Sequence, residues 1–397
     1  MTLLMLACTS PDGATGLPTT LPDTNQLECY DTEGSPGCSE DSLFGQDAQY
    51  VRYSPSYTDN GDDTVTDEVT GLVWQWEQLD KVAYADAEGV CDALELGGRD
   101  DWRVPTIKES YSLMDFSGAT GTGDLSGGVP SDAVPYIDDT AFDFAYGDTE
   151  AGERFIDVQF ITTNVYVSMA FADNSGSESG ESCFFGVNHA DGRIKCYPTD
   201  SGTWQLRCVA GDTGYGENDL ADNDDGTVTD DATGLMWMQD DSGDGMDWGS
   251  ALAFCEDSTD SGHDDWRLPD AKELQSIVDY SRSPDTTGSA ALDPVFNATG
   301  ILDEAGDENW GWYWTSTTHL DGNVPGTDAA YIAFGEALGY TTGSASGEEH
   351  LLDVHGAGAQ RGDPKTGAAE DWPQWGLGPQ GDVRRVFNLA RCVRDLD

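Results

Sequence analysis

Asp59-Asn60-Gly61-Asp62-Asp63-Thr64-Val65-Thr66-Asp67, followed by Thr70-Gly71-Leu72-Val73-Trp74, returns later as Asp222-Asn223-Asp224-Asp225-Gly226-Thr227-Val228-Thr229-Asp230 and Thr233-Gly234-Leu235-Met236-Trp237. Further along, Asp100-Asp101-Trp102-Arg103-Val104-Pro105 returns as Asp264-Asp265-Trp266-Arg267-Leu268-Pro269. Each copy closes on one tripeptide, Arg207-Cys208-Val209 and Arg391-Cys392-Val393. Shared order and spacing mean an internal duplication into two tandem domains, each about 160–170 residues, an ordinary domain size. The first spans residues 50–211 and the second 218–397, and Gly211-Asp212-Thr213-Gly214-Tyr215-Gly216 links them. Any unusual residue can then be judged by whether its twin is present.

Each copy reads as α+β. Thr64-Val65-Thr66 and Leu72-Val73-Trp74 flank a turn signal and predict a β-hairpin. A helix is expected over Tyr84 to Leu94, with its twin starting at Trp248. Thr106-Ile107-Lys108-Glu109 and Asp270-Ala271-Lys272-Glu273 resemble capping boxes opening a second helix. Tyr313-Trp314-Thr315-Ser316-Thr317-Thr318 and Ala330-Tyr331-Ile332-Ala333-Phe334 read as strands, as does each Arg-Cys-Val segment. The expected architecture is two helices on a small, mostly antiparallel sheet in each domain, with long loops held by disulfides. The twinned Trp74 and Trp237, Trp102 and Trp266 read as core, and Arg103 and Arg267 as partners of a neighbouring Asp.

The chain has 397 residues, 38% of them hydrophobic, enough for two cores. Its 75 acidic against 18 basic side chains, a net charge of −57, argue against a nucleic-acid binder, because phosphate contacts need Lys and Arg. The same charge opposes docking on anionic lipid or polyanionic glycans. It suits a solvated surface in saline or extracellular surroundings.

Nine cysteines sort by the repeat. Cys91 twins Cys255, and Cys208 twins Cys392, so Cys91–Cys208 and Cys255–Cys392 are the expected bridges. Cys183 and Cys196 would staple a hairpin in the first copy, and Cys29 and Cys38 are close neighbours. Paired thiols imply an oxidising compartment. Cys8 is left over. It follows Leu3-Leu4-Met5-Leu6-Ala7, so residues 1–8 look like a lipoprotein signal whose cysteine is lipidated, although no basic segment precedes them. Residues 9–47, rich in Pro, Gly, Thr, Ser and acid, read as a flexible acidic stalk. No other stretch approaches the ~20 apolar residues of a membrane helix. The membrane is therefore met only through the N-terminal lipid, and the protein is expected at the cell surface, on the outer membrane.

Thr-Val-Thr-Asp, Thr-Gly-Leu-x-Trp, Asp-Trp-Arg-Leu-Pro, Lys-Glu-Leu, Tyr-Trp-Thr-Ser-Thr and Arg-Cys-Val-Arg together resemble the DUF1566 family, also named for the C-terminal domain of the Legionella collagen-like adhesin. The second copy carries every motif. The first has Lys108-Glu109-Ser110 for Lys-Glu-Leu and Phe160-Ile161-Thr162-Thr163 for Tyr-Trp-Thr-Ser. The resemblance implies a C-type-lectin-like fold on a bacterial surface protein and a role in adhesion to glycans.

Asp222, Asp224 and Asp230 stand at the first, third and ninth places of a calcium loop, but Gly226 and Thr233 occupy the fifth and twelfth. A hairpin turn explains the same residues. Asp240-Asp241-Ser242-Gly243-Asp244-Gly245-Met246-Asp247 is a second acidic turn of this kind. No motif calls for a cofactor, and calcium is the one ion these turns suggest. The segment after Leu352 has no counterpart in the first copy. It gathers His355, Gln360, Arg361, Asp363, Trp372, Trp375, Gln380 and Asp382, the mixture of planar polar groups and aromatic faces that a sugar site uses. Five histidines show no metal-ligand spacing, and neither a phosphate loop nor a nucleophile elbow occurs, so no enzyme is expected. The expected function is a surface adhesin or ligand-binding lipoprotein, its partner a glycan or neighbouring surface protein. A structural subunit of a coat or fibre is the alternative, and a homo-oligomer is compatible with either.

Overall fold

In the computed structural model, which describes residues 17–38, 43–123, 127–170, 180–342, 349–368 and 381–396, the duplicated motif folds the same way twice. Alternation in Thr-Val-Thr-Asp yields strands Thr64–Asp67 and Thr227–Asp230, each with its valine fully buried. Each pairs antiparallel with the Leu-x-Trp strand that follows, setting Val65 opposite Trp74 and Val228 opposite Trp237. The carboxylates of Asp67 and Asp230 accept N–H groups from their turns. Gly71 and Gly234 close those turns at φ of 73° and 70°, a conformation glycine adopts without strain. The closing strands Val209–Ala210 and Val393–Asp395 complete two matching four-stranded antiparallel sheets.

Helices Tyr84–Asp92 and Trp248–Glu256 carry Cys91 and Cys255, bridged to Cys208 and Cys392 beside the closing strands. The other two expected bridges, Cys29–Cys38 and Cys183–Cys196, are also formed. Helices Ile107–Ser112 and Ala271–Ser276 start at complete capping boxes on Thr106 with Glu109 and Asp270 with Glu273. Those same glutamates take Arg103 and Arg267, not the neighbouring Asp: Arg103 donates to Glu109 at 2.7 and 2.5 Å, and Arg267 to Glu273 at 2.5 and 2.7 Å. The Trp-Arg motif and the Lys-Glu motif are therefore one unit. Arg207 and Arg391 each donate to three backbone carbonyls, which locks the last strand onto the hairpin.

The copies do not keep separate second sheets. One eight-stranded sheet runs through both, in the order Trp312–His319, Asp328–Ala333, Gln360–Pro364, Arg193–Pro198, Cys183–Asn188, Gln159–Phe160, Trp204–Leu206 and Leu79–Val82. The junction is Gln360 opposite Ile194. One core spans the join on one face, with Ile107, Tyr111 and Ile194 of the first copy against Leu274, Ile277 and Ile332 of the second. On the other face, Phe184 and Tyr197 belong to one apolar cluster and Trp312, Trp314 and Tyr331 to another.

The expected stalk is not free where it is described. Leu21, Thr24, Gln26 and Asp47 are buried. Gln26 donates to Phe116 O and Thr318 O and accepts from Thr318 N at 2.8 Å, so it ties both copies together. Asp47 accepts from Thr24 and Thr317, and Lys272 donates to Asp23 O and Ser112 O. This strap lacks apolar periodicity because it works by polar side chains that satisfy buried backbone groups. No helix among the described residues is long and apolar enough to cross a membrane. Cys8 lies outside the described residues.

Candidate functional site

Where it is described, the segment expected to form an open recognition loop contributes to the junction of the two copies. Gln360–Pro364 is the strand that carries the shared sheet across. Gln360 is wholly buried, accepts from Tyr111 and donates to Arg361 O. Asp363 is wholly buried and accepts from Arg385 N, Val386 N and Asn388 Nδ2. Burial pushes its carboxyl up to about 6. These two residues are thus structural. The reason lies in the alternation of the strand, which points Arg361 and Asp363 to one face and Gln360 into the common core.

On that outer face His355 Nε2 lies 2.7 Å from Asp382 Oδ1, and Arg361 forms an ion pair with the second oxygen of Asp382. Burial alone would raise the Asp382 carboxyl, but Arg361 and His355 outweigh it and hold it well below the usual carboxylate range. Burial pulls His355 down to about 4, so its imidazole is neutral at pH 7. The first copy supplies Arg193 and Lys195, both within 3.1 Å of Asp191. Burial lowers Lys195 to about 8, and it feels the charges of Arg361 and Asp382. Of the expected ligand residues, then, His355, Arg361 and Asp382 are brought together, and mostly paired with one another. Trp372, Trp375 and Gln380 lie outside the described residues. Arg193 and Lys195 were not foreseen, yet two basic residues two apart in so acidic a chain were a readable sign.

Nor does the structure bring Asp222, Asp224 and Asp230 to one point. Asp230 is buried and saturated, accepting from Asn218, Asp219, Ala232 and Thr233. Asp222 accepts from Asp224 N and Gln239, which is hairpin geometry. In the second acidic turn, Asp240 accepts from Asn297, Asp241 from Thr299 and Tyr313, and Asp247 caps a helix. Among the described residues no three His, Cys, Asp or Glu side chains are grouped to hold a metal ion.

A cleft of about 780 Å³ lies between the copies. Asn164 and Val165 face it from the first copy, Asn218 and Asp219 from just after the linker, and Asp279 and Tyr280 from the second. Lys108 stands at its wall, donating to Gly216 O and Asn218 Oδ1 at 2.9 Å each, and burial lowers its ammonium to about 8. Val165 and Val167 are more than a third exposed there. Hydroxyl and amide groups beside apolar patches suit a polyhydroxylated chain, and the carboxylates repel an anionic one.

Two disulfide-stapled α+β copies, each locked by an Arg–Glu fork and a closing Arg-Cys-Val strand, define a duplicated domain. Residues 63–210 and again 226–352 match the Lcl C-terminal domain, more than half of the chain, and the protein belongs to that family. The second match ends before strand Gln360–Pro364. Comparison with curated proteins and with solved structures returns no match.

Proposed function

We propose that this is a bacterial surface protein, lipid-anchored through Cys8, that captures an uncharged glycan chain in the cleft between its two C-type-lectin-like copies. The observation that carries this reading is the cleft itself, a polar trough with exposed valines formed jointly by both copies. A net charge of −57 disfavours a sulfated ligand and favours a neutral one. A glycan array read with and without calcium, at low and high salt, tests the proposal. Capture of neutral glycans, lost in Val165→Tyr with the melting temperature kept, is the expected outcome. Binding confined to sulfated glycans, or unaffected by Val165→Tyr, would sink it.

The second reading is a coat or fibre subunit contacting a neighbouring surface protein. It is favoured by Val165, Val167 and Met169, exposed at alternate positions along one run. Sedimentation of the purified chain as discrete assemblies, with no glycan captured, would decide for it.

A further inference from the structure

We infer that the first copy carries a docking groove for an extended segment of another polypeptide, one that presents a tyrosine and a basic residue. The groove holds about 410 Å³ and runs between helix Tyr84–Asp92 and the segments Arg103-Val104 and Ile161-Thr162-Thr163. It shares only Thr163 with the interlobe cleft, so it stands apart from the proposed glycan site.

The second copy shows what this groove is built to hold, because there its counterpart is filled. Local hydrogen bonds fix the correspondence. Thr163 N donates to Pro105 O as Ser316 N does to Pro269 O, and Asn164 Oδ1 takes Ile107 N as Thr317 Oγ1 takes Ala271 N. Across helix Trp248–Glu256 lies the strap. Leu43 packs over Gly249, so close that a Cβ there would meet it, and joins the apolar cluster of Leu252 and Trp314. Asp47 accepts from Thr317. The Tyr50 ring lies 5.6 Å from the Arg267 guanidinium, and its hydroxyl donates to Glu256 at 2.7 Å.

The first copy keeps the receiving groups and leaves them open. Ala85, Glu88 and Asp92 twin Gly249, Leu252 and Glu256 and share one helix face. All three are exposed, whereas Leu252 is buried and Gly249 and Glu256 are half-buried. Thr163 is exposed and its twin Ser316 buried. The Arg103 side chain is 24% exposed against 6% for Arg267, the guanidinium that Tyr50 covers. A guest tyrosine therefore finds both partners that Tyr50 has, a cationic face at Arg103 and a carboxylate at Asp92. Charge separates the guest from the strap. Glu88 replaces the leucine beside Leu43, and Glu109 already balances Arg103, so the groove is left negative by Glu88 and Asp92. It favours a segment with Lys or Arg in the place of Leu43.

The test uses the full chain and fluorescent peptides with the strap sequence from Leu43 to Tyr53, read by polarisation. The peptide carrying Leu43→Lys is expected to bind, and the unaltered peptide about tenfold more weakly. Adding Tyr50→Ala to the Lys peptide should also weaken it about tenfold, the loss of one cation–π contact and its hydrogen bond. Ala85→Trp in the chain, which fills the groove from an exposed position, should abolish capture with the melting temperature kept, and Asp92→Ala should weaken it. Capture unaffected by Ala85→Trp would mean that the peptide displaces the chain's own strap from the second copy, and would overturn the site. Equal or tighter binding of the unaltered peptide would give the groove to the strap of a second copy of this chain and overturn the basic partner. No binding by either peptide would overturn the groove outright.

Discussion

Glu273 caps the helix Ala271–Ser276 and at the same time receives both guanidinium nitrogens of Arg267. One carboxylate thereby ties a helix start to the closing strand, because Arg267 N–H also pairs with Val393 O. Glu109 and Arg103 repeat the arrangement in the first copy. The difference is depth: the Arg267 side chain is 6% exposed and the Arg103 side chain 24%.

Glu273→Gln is therefore expected to be the more damaging of the twin substitutions. Removing one partner of a buried ion pair costs about 3–5 kcal/mol, whereas water reaching Arg103 reduces the loss in Glu109→Gln. Urea unfolding of the two variants measures both. Equal losses would mean that burial of the fork is unimportant.

Gln26→Ala should destabilise the fold by about 1–3 kcal/mol, since it leaves buried backbone groups of Thr318 and Phe116 unpaired. A free stalk would lose nothing. An unchanged unfolding midpoint would remove the strap from the folded unit.

Non-reducing peptide mapping should recover Cys91–Cys208 and Cys255–Cys392 as equivalent bridges, with Cys29–Cys38 and Cys183–Cys196 beside them. Replacing both Cys255 and Cys392 by Ser should cost about 2–5 kcal/mol, because each long bridge restrains the unfolded chain. Free thiols at either twinned pair would contradict the arrangement.

Asp363→Asn should change how stability depends on pH. Burial raises the folded-state carboxyl to about 6 against the ordinary 3.8. Its contribution is present below 3.8 and lost as pH rises through about 6, where the native state must give up a proton it holds better than the unfolded chain. The melting temperature of the variant relative to the wild type should accordingly increase between these values and level off above them. A constant difference across that window would show that Asp363 is ionised in the fold throughout.

What the sequence determined by itself is what is local or duplicated. Val65 and Trp74 face each other because alternation and a turn signal lie within ten residues, and the capping boxes at Thr106 and Asp270 need only four. The disulfides were legible because each long-range cysteine has a twin, which replaces distance by symmetry. The sequence marks Arg103 and Arg267 as ionic anchors and points to a neighbouring Asp, but the chain direction after Pro105 and Pro269 brings a helix start back onto them, and Glu109 and Glu273 take that place. Only the tertiary structure decided that Gln360 lies opposite Ile194 and that Gln26 reaches Thr318 across 292 residues. Contacts between distant segments leave no period in the sequence. Their polar members look like loop residues until a buried backbone group is found for each to satisfy.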